Sequence, residues 1–173
     1  MDFWALIDQR RSVRRFGSAA VDAATVRKIV KAAVRAPSAG NCQPWHFVVV
    51  RRQETKEALA AAAHGQGFLA EAPVVIVVCA EPGRSASDYG ARGRELYCLQ
   101  DTAAATEHIL LAAAALGLGA CWVGAFDERA AANALALPDA VRPVAMVPIG
   151  QPMAGHHART SRRPLSEVTS FLE

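Results

Sequence analysis

Residues 72–80, APVVIVVCA, decide how this chain folds. The run is apolar throughout, without alternation of polar and apolar positions, and so reads as a strand buried on both faces. Upstream, 46–52, HFVVVRR, reads as a second short strand, and the two are expected to occupy the centre of one sheet. Between them, 55–65, TKEALAAAAHG, has the propensity of a helix ending near Gly65.

In 22–36, Val26, Ile29, Val30, Ala33 and Val34 recur at helical spacing opposite Arg27, Lys28, Lys31 and Arg35. Asp22 is the expected N-cap, and Pro37 biases Ala36 away from helical geometry. The next stretch, 37–45, PSAGNCQPW, is a structured loop, whereas 82–94, PGRSASDYGARGR, is polar and glycine-rich and is expected to be a mobile surface segment. Residues 95–116 form the longest helix, stopped by Gly117. Its few charges predict protein on most sides, and its alanines allow close helix approach, so an internal core helix and a dimer interface both stand as readings. A third short strand is expected at 120–126, a helix at 127–137, and at 141–150, VRPVAMVPIG, a fourth strand whose prolines place it near an edge. The tail, 151–173, is too polar and proline-punctuated to make its own core and is expected to wrap over this subunit or a neighbour. Strands and helices mix without regular β-α alternation, so the fold class is α+β, one domain over 1–173.

A chain of 173 residues can bury roughly 70% of its unfolded surface. No apolar run approaches the ~18 residues of a membrane span and no basic-then-apolar leader is present, so a soluble, cytoplasmic protein without a membrane partner is expected. The net charge of +3, from 19 basic and 16 acidic side chains, excludes a strongly basic nucleic-acid binder. Basicity is local, at Arg10, Arg11, Arg14 and Arg15 and at Arg159, Arg162 and Arg163. Cys42, Cys79, Cys98 and Cys121 lie far apart, with no C-x-x-C pair and no histidine at zinc-ligand spacing; they read as reduced and mostly buried, and no metal site is expected.

The basic stretch 10–16, RRSVRRF, can be read two ways. In a helix Arg10, Arg11 and Arg14 share a face; in an extended segment Arg10, Ser12 and Arg14 align, and Val13 and Phe16 favour the extended form. The extended row would span about 13 Å at ~3.3 Å per residue and suit an elongated anion, with guanidinium forks matched to phosphate oxygens. A solvated basic turn, or pairing with acids such as Asp8 and Glu54, is the alternative. In the loop, Ser38, Asn41 and Gln43 offer donors and acceptors beside a glycine and two prolines, equipment for the edge of a flat heteroaromatic ring; a helix-to-strand turn satisfying its own backbone is the alternative there. No phosphate-loop motif, dinucleotide fingerprint or G-x-S-x-G elbow occurs, and His156 and His157 read as exposed tail residues.

Taken together and in order, RRSVRRF, PSAGNCQPW, GRELYCLQDTAAATEHILLAAAALGLGACWVGAF (93–126) and RRPLSEV (162–168) resemble the FMN-dependent nitroreductase family of NAD(P)H-dependent oxidoreductases over nearly the whole chain. The resemblance implies an α+β nitroreductase-like fold with a central mixed or antiparallel sheet flanked by helices. It also implies a homodimer with two FMN molecules at the interface and the C-terminal tail wrapping on the partner subunit. By motif match, Arg10 and Ser12 would hold the phosphate and ribityl end, Arg14 would approach the pyrimidine edge, and Arg11 is a further candidate. Arg162 would close on the phosphate, with Arg163 as the alternative. From the other subunit Pro37, Ser38, Ala39, Asn41 and Gln43 would line the ring, with Trp122, Val123 and Gly124 along another side. Gln66 is the one side chain in 64–71 able to replace an amide or basic contact that some members use.

The family's cycle is ping-pong: NADH or NADPH donates hydride to the flavin and leaves, and a small organic acceptor, such as a nitroaromatic or quinone, follows. Such a cycle implies that no side chain need act as a covalent nucleophile, and Arg14 is the candidate for tuning the flavin. Flavin modification, reductive dehalogenation or a non-catalytic flavin-binding dimer are the alternatives on this fold; RNA binding would require interleaved aromatics that the basic stretch lacks.

Overall fold

Val74–Ala80 forms β2, with all seven residues buried. A computed structural model describes residues 2–153 and 160–172 of the chain. Around β2 lie, in chain order, α1 (Phe3–Gln9), α2 (Ala23–Ala33), β1 (Trp45–Val50), α3 (Gln53–Ala62), α4 (Phe68–Glu71), α5 (Pro82–Arg92), α6 (Cys98–Ala115), β3 (Gly119–Ala120), α7 (Glu128–Ala134) and β4 (Arg142–Gly150). The strands make one antiparallel sheet in the order β1-β2-β4-β3.

Successive residues of β2 point to opposite faces and so serve two cores. Val74, Ile76 and Val78 pack with Ile29 of α2 and Ile109, Leu110 and Ala113 of α6. Val75, Val77 and Cys79 pack with Leu59 of α3, Leu69 of α4 and Ala131 of α7. Each fully buried Val, Leu or Ile contributes about 1.5–3 kcal/mol, so this single run anchors both helical layers.

Two strand positions differ from expectation. β1 is an edge strand rather than a central one, and β4 lies inside the sheet, between β2 and the two-residue β3. The prolines are accommodated there by local geometry. Pro143 sits opposite Cys79, where the ladder shifts register. Met146 exchanges both backbone hydrogen bonds with Val123 at 2.9 Å, so Pro148, two residues on, turns its nitrogen toward the same sparsely paired side. Of the strand expected at 120–126, only Ala120 and the bridge at Val123 pair.

The helical expectations fare better. Asp22 caps α2, its Oδ1 accepting the Thr25 N–H at 2.8 Å. α6 ends as expected, with Gly117 at φ 73° and the Leu118 N–H returning to the Ala113 carbonyl at 2.9 Å. α6 buries one stripe, Cys98, Asp101, Thr102, Ala105, Thr106, Ile109, Leu110 and Ala113, while Glu107, Leu111 and Ala114 remain half-buried. The segment 82–94 is not a loose surface loop: it is α5 followed by a π-turn at Gly93–Tyr97. Its order comes from contacts that polar composition conceals. Tyr89 and Tyr97 stack edge-to-face at 5.2 Å, Arg92 Nε donates to Tyr97 Oη at 2.9 Å, and Gly93 packs so closely on the Ser85 carbonyl that a Cβ there would overlap it.

The described tail holds a single 3-10 turn, Leu165–Glu167. Leu165, Val168, Phe171 and Leu172 are 56–99% exposed within the chain. His156, His157 and Arg159 lie outside the described residues. No helix among the described residues is long and apolar enough to cross a membrane.

Candidate cofactor site

Residues 10–16 leave α1 at Arg10, whose ψ of 131° breaks the helix, and continue extended. Ser12 bridges Ala120 in parallel sense, the Val13 N–H donates to the Ala120 carbonyl at 2.9 Å, and Phe16 bridges Pro152. Val13 and Phe16 are buried and pin the segment at two points. Close approach requires Gly119, because a Cβ there would stand 2.6 Å from Val13 Cγ1. Of the expected row, Arg10 is half-buried and Ser12 and Arg14 are exposed. Burial raises the Cys121 thiol pKa, and Arg14, Ser12 and Arg10 oppose the rise. The bridge from Ser12 to Ala120 sets this row of alternate residues, Arg10, Ser12 and Arg14, along the end of β3.

At one end of this row, Arg10, Arg11 and Arg162 meet at a cavity of about 440 Å³, together with Asp8, Glu107 and Thr160. Arg10 Nε lies 3.6 Å from Glu107 Oε1, a loose ion pair, and Arg11 Nη1 donates to the Arg10 carbonyl at 2.7 Å. Arg162 Nη1 donates to Thr160 Oγ1 at 2.8 Å. Arg163 points elsewhere, its guanidinium held by Glu167 at 3.2 Å. Of the two arginines, Arg162 is therefore the one at the cavity. Three guanidinium groups against two carboxylates leave it positive, matching a phosphate monoester. Glu107 is a member the sequence did not signal, since an acid on a long helix gives no sign of which distant arginine it meets.

The loop 37–43 sits beside β1, at the opposite edge of the sheet. Pro37, Asn41 and Gln43 are exposed, and Ser38 and Ala39 half-buried. Gly40, Asn41 and Gln43 have φ of 53°, 57° and 50°, and Ser38 Oγ accepts the Gln43 N–H at 3.0 Å. Helix α5 braces the loop: Arg84 Nε donates to the Cys42 carbonyl at 3.2 Å, Cys42 Sγ donates to Asp88 Oδ2 at 3.3 Å, and Tyr89 packs on Gly40. Asp101 of α6 accepts the Ala39 N–H at 3.1 Å.

Trp122 and Gly124 are exposed after β3, while Val123 between them is buried and spends both backbone groups on Met146. A Cβ at Gly124 would meet only Trp122, at 3.7 Å, among the described residues, none of which demands glycine there. Gln66 Nε2 donates to the Ala63 and Ala125 carbonyls at 3.0 and 3.2 Å, tying down the same segment. Among the aromatics, Trp45 belongs to the core shared with α2 and α6, Phe68 and Phe126 pack half-buried against the opposite core with α3, α4 and α7, and Tyr89 borders the loop.

Residues 7–68 and 62–151, which include the basic row and the polar loop, match the pattern of the nitroreductase family. The chain belongs to the nitroreductase family. It is 40% identical over 151 residues, 85% of this chain and 83% of the relative, to an Archaeoglobus fulgidus protein carrying the name NADH dehydrogenase/NAD(P)H nitroreductase. It is 34% identical, over 92% of this chain and 91% of the other, to the NADH dehydrogenase of Thermus thermophilus. The crystal structure of a nitroreductase family protein from Clostridium novyi superposes with a TM-score of 0.81 at 35% identity, covering 89% and 87% of the two chains. This nitroreductase-family chain is accordingly an oxidoreductase with an α+β fold built on a four-stranded antiparallel sheet.

Proposed function

We propose that the protein is an FMN-dependent oxidoreductase, a single domain acting as a homodimer, that takes hydride from NADH or NADPH and reduces a small organic acceptor such as a nitroaromatic or quinone. The observation that carries this is the convergence of Arg10, Arg11 and Arg162 at one cavity, from which the extended segment bearing Ser12 and Arg14 runs along β3. That donor set fits FMN: a phosphate at the cavity, ribityl hydroxyls at Ser12 and a flavin ring toward Arg14.

When bound, FMN supplies the two-electron redox centre. The chain's own residues hold and orient it. Arg10, Arg11 and Arg162 neutralise the phosphate, with Glu107 displaced from its loose hold on Arg10. Arg14 places positive charge where negative charge gathers at the pyrimidine edge on reduction, which favours the two-electron outcome. Trp122 and Gly124, held in place by the Val123–Met146 pairing, would border the ring.

The loop would come from the second copy. It lies beside β1 and the row beside β3, three strand spacings or roughly 14 Å apart across the sheet. A ring gripped on one side by Arg14 and on the other by Ser38, Asn41 and Gln43 is therefore best served by two chains. The exposed Leu165, Val168, Phe171 and Leu172 support a tail that lies on the partner.

The test is direct. Purified protein should be yellow, release FMN near one per chain, and bleach anaerobically with NADH or NADPH, recovering colour on adding a nitroaromatic or quinone. Protein that neither carries nor takes up FMN would sink the proposal.

A further inference from the structure

The loop 37–43 is held in a shape its sequence does not prefer. Two non-glycine residues, Asn41 and Gln43, have left-handed φ. Such residues cost on the order of 1 kcal/mol or more each and persist where surroundings over-determine them. Internal bonds supply part of the restraint: the Asn41 N–H donates to the Ser38 carbonyl and the Cys42 N–H to the Ala39 carbonyl, both at 3.0 Å. The braces from α5 lie at the surface, where a thiol-to-carboxylate contact and a single guanidinium bond are weakly held.

Asp101 is different. It is 7% exposed, sits in the apolar stripe of α6, and reaches across 62 positions of sequence to accept the Ala39 N–H with Oδ1. Its other oxygen, Oδ2, is buried without any hydrogen-bond partner. Burial raises the Asp101 pKa, and the Ala39 N–H opposes that rise. An apolar side chain would fill this position at lower cost, given neighbours such as Cys98 and Ala105. The carboxyl group does one visible thing in return, which is to fix the Ala39 amide at the start of the Ala39–Asn41 turn of the loop.

We infer that Asp101 is the positioning residue of the cofactor loop: its bond to the Ala39 N–H sets how Ser38, Asn41 and Gln43 are presented to the flavin. The inference rests on the reading of this loop as a flavin wall. It assigns Asp101 no contact with the flavin.

Five forms of the full chain test it: wild type, Asp101→Asn, Asp101→Leu, Ala39→Pro and the Asp101→Leu, Ala39→Pro double variant. Asn keeps an acceptor oxygen and Leu does not. Ala39→Pro deletes the donor instead, and Ser38, at φ −143° and ψ 152°, already has the extended geometry a residue before proline requires. FMN dissociation constants are measured by fluorescence quenching after flavin removal, and the potential of bound FMN by equilibration with reference dyes. Asp101→Leu should weaken FMN binding at least about tenfold and shift the potential, and Ala39→Pro should match it. Asp101→Asn should stay within about threefold of wild type, and Asp101→Leu should add nothing in the Ala39→Pro background.

The inference is overturned if Asp101→Leu binds FMN like wild type, if Asp101→Asn loses as much as Asp101→Leu, or if the two losses add. Should Asp101→Leu fail to fold, an Ala39→Pro chain that binds FMN with unchanged affinity and potential overturns it equally. A wild-type chain that takes up no FMN overturns the flavin reading itself, which separates the two failures.

Discussion

Substituting alanine at Gly119 should dislodge the arginine row without touching any arginine. The added Cβ would stand 2.6 Å from Val13 Cγ1 and 2.8 Å from both Cβ and Cγ2. Rotating Val13 cannot relieve this, because its Cβ is one of the crowded atoms. Relief to an ordinary contact of about 3.5 Å requires segment 10–16 to move by roughly 0.7–0.9 Å, stretching the 2.9 Å bond from the Val13 N–H to the Ala120 carbonyl. Overpacking of this kind costs about 1–3 kcal/mol, and for a chain of this length each kcal/mol lowers Tm by about 2–4 °C. Displacing Arg10, Ser12 and Arg14 together should also weaken FMN binding by roughly tenfold or more, since charged hydrogen bonds depend steeply on geometry. The assay is a thermal melt with and without FMN, beside a fluorescence titration. In a Gly119→Ala, Val13→Ala double variant two of the three clashes vanish, so the combined loss should fall short of the sum of the single losses. Wild-type Tm and FMN affinity in Gly119→Ala would refute the claim that this contact docks the row.

Three further outcomes are expected. Arg10→Ala should mainly weaken FMN retention and Arg14→Ala should mainly alter the potential of bound flavin, measured by titration and dye equilibration; equal loss of retention with unchanged potential would refute the division. Glu107→Gln frees Arg10 from a loose 3.6 Å pair and should tighten FMN binding by up to about fivefold, because a half-exposed ion pair is worth about 0–1 kcal/mol; weaker binding would show that Glu107 orients Arg10 instead. Asp101 has its pKa raised above 3.8 in the folded chain, so the folded state holds its proton longer than the unfolded state. Its contribution to stability therefore falls as pH rises from about 4 through the folded pKa, and melts from pH 4 to pH 8 should show Asp101→Asn gaining on wild type as pH rises.

The apolar run of β2 revealed the sheet and both helical layers because unbroken valine and isoleucine can be satisfied only by cover on two faces. Hydrophobic periodicity gave α2 its face, and Asp22 and Gly117 marked helix ends, since these signals act over a few residues. What failed depends on partners far away. Prolines in β4 point to an edge only when every N–H is needed, and a register shift opposite Cys79 removes one such need. Residues 82–94 look loose by composition, yet Tyr89 and Tyr97 meet only once the helix forms. In the site, the alternation of Arg10, Ser12 and Arg14 was legible in RRSVRRF, because period two is a local property. The acids that hold it together were not: Asp101 and Glu107 sit on α6 and reach Ala39 and Arg10 through tertiary packing.

The central claim, a flavin site divided between two chains, is tested most directly by mixing two damaged forms. One chain carries Arg10→Ala and Arg14→Ala, the other Asn41→Ala and Gln43→Ala, with different tags so that mixed dimers can be isolated after subunit exchange. Each form alone should retain little FMN. The mixed dimer should regain about one tightly bound FMN, because one of its two sites then combines an intact row with an intact loop. Mixed dimers that bind no more FMN than either parent would contradict the shared site.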